Sequence, residues 1–138
     1  MELDVRRIDL LSNWQKHFTL NLGKSYLRER KNNGELVTEL LLSSALLDNI
    51  MMSNCNYKNL DPNSVIYKYC TTRDKEGNCW AENKEEECER IEEFYEQLIS
   101  IKENIDFELL HTEYEEVLKI CQSTINNNNK LFLITDSY

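Results

Sequence analysis

From Asn78 to the C-terminus the chain carries neither glycine nor proline, so no backbone-breaking residue type interrupts a helix there. On a helical wheel of about 100° per residue, Cys88, Ile91, Phe94, Tyr95, Leu98 and Ile105 fall on one side of residues 85–105. Glu85, Glu86, Glu89, Glu92, Glu93 and Glu96 fall on the other. The stripe changes phase near Ile105, after which Phe107, Leu110, Tyr114, Val117, Cys121 and Ile125 form a second seam at steps of three and four. Asp106 has the chemistry of an N-cap, and Ile105 and Leu110 have the spacing of a hydrophobic staple. The pattern predicts two helices, 84–104 and 107–126, folded back as an antiparallel hairpin.

Upstream, Ile8, Leu11, Trp14, Phe18 and Leu22 recur at helical spacing and predict a helix over 4–22, stopped by Gly23. Lys24, Arg28, Arg30 and Lys31 form a basic cluster, read as a helical surface, and Asn32-Asn33-Gly34 gives a turn. Residues 35–52 are apolar around most of a helical circumference, the mark of a central element or of an interface on both sides. Val65–Cys70 has strand-like composition, and Cys79-Trp80-Ala81 follows the turn Arg73–Asn78, which predicts a β-hairpin. Asn126–Asn129 is a polar break, and Leu131–Thr135 resembles a short strand that could pair with that hairpin.

The expected fold is mostly α: a single domain over 1–138 with four to five helices, an antiparallel helical hairpin near 84–126 and a small β-hairpin insertion. Its parts would be N-terminal helices in 1–53, a loop with the hairpin in 54–83, the helical hairpin, and a C-terminal tail or short strand in 127–138. At 138 residues and 41% hydrophobic content, such a chain can bury one core.

The net charge is −9, and it lies in the C-terminal part: residues 1–53 carry seven acidic and seven basic side chains. Such a surface repels nucleic-acid phosphates and anionic membranes and attracts basic partners. The N-terminus lacks the apolar core of a signal peptide, and no apolar run is long enough to span a bilayer. Five cysteines without compact spacing suit a reducing compartment, so an intracellular location, in cytoplasm or nucleus, is expected. Scarce Ala, Gly and Pro beside abundant Asn suggest an AT-rich genome, as in a large DNA virus, a protist or a low-GC bacterium.

No residue pattern points to catalysis. Cys70, Cys79 and Cys88 lack the close pairing of a zinc knuckle, although Cys70 and Cys79 could face each other across the expected hairpin. Glu108 and His111 match a Glu-x-x-His element, but the other histidine, His17, has no carboxylate three or four residues before it to complete a di-iron set. Three isolated glycines make no phosphate loop. The expectation is a non-enzymatic protein that needs no cofactor or metal.

It would bind a partner protein, or a second copy of itself as a homodimer, through an apolar helix face with Leu42, Leu46, Met51 and Trp14 as anchors. This is the profile of a viral or parasite-type regulator. The alternative is an acidic inhibitor in which Glu85, Glu86, Glu89, Glu92, Glu93 and Glu96 imitate a phosphate backbone and block a basic nucleic-acid-binding site.

Overall fold

The structure, a computed structural model, describes residues 5–10, 23–53, 57–77 and 79–136, the side chains of Phe107 and Leu109 excepted. Along the chain its elements are β1 (Arg6–Asp9), β2 (Lys24–Arg30), β3 (Leu36–Ser43), α1 (Ser44–Met51) and α2 (Val65–Glu76). After them come β4 (Glu86–Glu87), α3 (Ile91–Ser100), α4 (Phe107–Asn126) and β5 (Lys130–Asp136). The five strands form one mixed sheet in the order β1-β3-β2-β5-β4. The β1–β3 pairing is parallel and the pairings β2–β3, β2–β5 and β4–β5 are antiparallel.

Alternation of side chains explains the sheet. In β2, Ser25, Leu27 and Glu29 are buried while Tyr26, Arg28 and Arg30 are half-buried, a period of two. The register sets Leu27 beside Leu40 and Leu133, and Ser25 beside Leu42 and Thr135, so the buried set shares one face. That face meets the helices, with α4 packed over β2, β3 and β5, and α1 over β2 and β3. Leu27, Leu40, Leu42, Leu131 and Leu133 join Leu46, Ile50, Ile66, Phe94, Leu98, Val117 and Ile120 in one core.

This architecture corrects the expected mostly α fold: the chain is α/β, with helices layered on a sheet. Arg6–Asp9, placed in the N-terminal helix by spacing, is the edge strand β1, while residues 11–22, Trp14 among them, lie outside the described residues. Of the basic cluster, Lys24, Arg28 and Arg30 lie on strand β2 and Lys31 in the turn after it, not on a helix. Residues 35–52 divide into β3 and α1. In β3 Leu40 and Leu42 are buried on the core face and Leu36, Val37 and Leu41 are half-buried, and over such a short apolar run periodicity cannot tell a strand from a buried helix.

The expected β-hairpin is also overturned. Val65–Cys70 opens α2, whose N-cap Ser64 accepts a hydrogen bond from Tyr67 N at 3.4 Å. The helix closes on Gly77 at φ 76°, with Gly77 N donating to Arg73 O. Capping and the buried stripe Val65, Ile66, Tyr69 and Cys70 outweigh strand-like composition. Cys79-Trp80-Ala81 forms no strand of its own, although Ala81 O accepts from Thr135 N at 3.0 Å.

The first of the two C-terminal helices is shorter than its amphipathic pattern. Residues 84–90 are not helical: Glu86–Glu87 pairs with β5, and Cys88 N donates to Leu131 O at 2.8 Å. Asn83 and Arg90 turn the chain in the left-handed region at φ 57° and 58°, without glycine or proline. The break near Ile105 is real, and α4 spans the expected residues with Asp106 accepting from Glu108 N at 3.1 Å. Ile105 and Leu110 are both buried beside it. The last strand forms as expected, but its partners are β2 and β4.

Candidate functional site

Two surfaces are rich in charged residues, and they differ in how the charges are compensated. On the sheet face turned away from the core, Arg28 lies between two carboxylates. Its Nε donates to Glu39 Oε2 at 2.9 Å and its Nη1 to Glu85 Oε1 at 3.1 Å. Arg30 grips the same Glu85 from Nε at 3.0 Å and from Nη2 at 3.1 Å. Arg28 also lies 4.7 Å from the centroid of the Tyr26 ring. Burial pushes the Glu85 carboxyl up, but the hydrogen bonds from Arg30 and Arg28 outweigh it and hold it below its usual range.

The second surface is the outer side of α3, α4 and their connection. α3 buries Phe94 and Leu98 and leaves Glu92 and Glu96 in water. Tyr114 ties α4 to α3, its hydroxyl donating to Leu98 O at 2.6 Å. With those inner faces joined, Glu89, Glu92, Glu96, Glu103 and Glu108 are exposed, and none has an ion pair among the described residues.

The residues singled out from sequence are therefore scattered. Leu42, Leu46 and Met51 are core side chains, 0%, 2% and 1% exposed, so they present no apolar face to a partner. Of the six glutamates expected on one helical face, Glu85 and Glu86 precede α3 and meet Arg28, Arg30 and Lys84. Glu93 pairs with Arg90 at 3.2 Å. Glu89, Glu92 and Glu96 are exposed and have no ion pair among the described residues. Glu108 and His111 are both exposed on α4, and among the described residues no three His, Cys, Asp or Glu side chains are grouped to hold a metal.

Cys70, Cys79, Cys88 and Cys121 are free and buried, and the β-hairpin across which Cys70 and Cys79 could have faced each other does not form. Burial pushes the Cys70 thiol up to about 12, with Asp74 and Asp48 adding to it, and burial likewise raises the other three. Such thiols stay protonated and are poor nucleophiles.

Sequence reasoning singled out the basic cluster with Arg28 and Arg30 but not Glu39 as a partner, and missed Glu29, which is 0% exposed and faces the core. The signal was the period-two alternation of Ser25, Leu27 and Glu29. No helix among the described residues is long and apolar enough to cross a membrane. Set against known protein families, curated proteins and solved structures, the chain matches none.

Proposed function

We propose that this chain is a non-enzymatic protein-interaction module, and that it meets a basic protein partner through the outer carboxylates of the α3–α4 layer. The observation that carries this reading is the set Glu89, Glu92, Glu96, Glu103 and Glu108, exposed and unpaired among the described residues. Unpaired surface charge of one sign slightly lowers stability and finds compensation in a partner of opposite sign. The apolar-face variant of the reading loses three of its four anchors, because Leu42, Leu46 and Met51 are inside the core, while Trp14 lies outside the described residues.

Phosphate imitation is a narrower form of the same idea. It is weakened by the diversion of Glu85, Glu86 and Glu93 into contacts with cations of the chain itself. The test is affinity capture from the native cell with the wild-type chain and with E92Q/E96Q/E103Q/E108Q. Charge-driven capture should be lost in the variant and should weaken steeply from about 0.15 to 0.5 M salt, as screening shortens. A partner retained by the folded variant at high salt would overturn the proposal.

A further inference from the structure

A groove of about 490 Å³ opens at one end of the sheet, between the β2–β3 turn and the α4–β5 loop. Its walls are Lys31, Asn32, Val37, Asn127, Asn128 and Asn129. Directly behind two of them lies the carboxylate of Glu29. Asn129 Nδ2 donates to Glu29 Oε2 at 2.7 Å, Asn127 Nδ2 to the same oxygen at 3.5 Å, and Ser123 Oγ to Oε1 at 2.7 Å. All three donors are neutral. Glu29 is fully buried and has no cationic partner among the described residues.

Three further features give the groove its character. The C-terminal end of the 20-residue α4 points here, and its last turn holds no basic side chain. That end carries the negative pole of the helix dipole and favours cations. The asparagine amides are oriented by Glu29: with Nδ2 of Asn127 and Asn129 committed to the carboxylate, their Oδ1 atoms are the acceptors left over. The loop backbone is held as well, Asn127 N donating to Ser123 O, Asn128 N to Ile125 O and Asn129 N to Thr124 O.

We propose that this groove binds a positively charged nitrogen group, the guanidinium of an arginine side chain in a basic peptide segment. The guanidinium brings donors to the amide oxygens, and its charge is compensated by Glu29 behind them and by the end of α4. Lys31, the only charged side chain on the walls, opposes it. The inference rests on the reading of this protein as one that receives a basic partner, and it adds a defined pocket at the opposite end of α4 from the α3–α4 connection.

The test is a ¹⁵N NMR titration of the full chain with N-acetyl-arginine methylamide. Saturable shifts are expected at the side-chain amides of Asn127, Asn128 and Asn129 and at the Lys31 backbone amide. Lys31→Ala should tighten binding several-fold. Asn32→Arg, which places a guanidinium of the chain itself at the groove, should weaken it. Both positions are exposed turn residues, so the fold should be kept. Shifts confined to α3 and the start of α4, no saturable shift in the groove, or weaker binding by Lys31→Ala would overturn the proposal. E92Q/E96Q/E103Q/E108Q should leave arginine binding in the groove nearly unchanged. Loss of partner capture with groove binding intact would therefore separate the two surfaces, and failure in the groove alone leaves the acidic layer standing.

Discussion

The far face of the sheet and the outer side of the α3–α4 layer are both rich in charge, yet they do opposite things with it. On the sheet, period-two spacing lines up Arg28 and Arg30 on one strand, within reach of Glu39 on β3 and Glu85 beside β4. These side chains are only 16–26% exposed, so each charge is partly dehydrated and is held by the opposite one. On the helices the 3.6-residue period sends apolar residues inward and glutamates outward. There Glu93 meets Arg90 and Glu116 meets Lys119, while Glu92, Glu96 and Glu108 have no ion pair among the described residues. The first surface has compensated itself; the second has left compensation to solvent or to a partner.

The contrast can be broken from its inner side first. Leu98→Ala empties a site that is 0% exposed beneath the acidic surface, and should cost about 2–5 kcal/mol in urea denaturation. A cost under about 1 kcal/mol would show that α3 is not anchored by its apolar stripe. Next is Arg28→Ala, which leaves Glu85 to Arg30 alone and Glu39 with only Arg7, at 3.5 Å. For a pair between surface and core a loss of about 1–3 kcal/mol is expected, part of it from the Tyr26 contact. A neutral result would mean that the sheet-face network is no more than an ordinary surface pair.

Acid separates the two surfaces further. The folded Glu85 carboxyl lies below its unfolded value of about 4.3, so its contribution is present above that pH and is lost as pH falls through the folded value. Glu85→Gln should therefore flatten the decline of stability below about pH 4.5, measured by denaturation at a series of pH values. The smallest effect is expected for E92Q/E96Q/E103Q/E108Q together, within about 0.5 kcal/mol of wild type and on the stabilising side, because like charges at helical spacing repel. Destabilisation beyond that would place a hidden cationic partner on this surface.

The amino-acid sequence determined the parts whose signals are local. α4 is legible because Asp106 caps it, its seam recurs over five turns, and Asn126–Asn129 ends it. β5 is legible from an apolar run bounded by polar residues, and the turn at Gly34 from its neighbours. Glu92 and Glu96 stand exposed for the same reason, since a helical period alone assigns them a side.

What tertiary structure decided depends on partners far away in the chain. Leu36–Ser43 became a strand because β1 and β2 supply its backbone partners, and Leu40 and Leu42, read as part of an apolar helix, lie in the core beneath the helices. Glu85 and Glu86 left the helix because β5 supplied backbone partners for the segment before Ile91, outweighing the local gain of another helical turn. Glu29 shows the difference most directly. Its buried place is implied by alternation with Leu27, but its binding to Ser123, Asn127 and Asn129 exists only once α4 crosses the sheet.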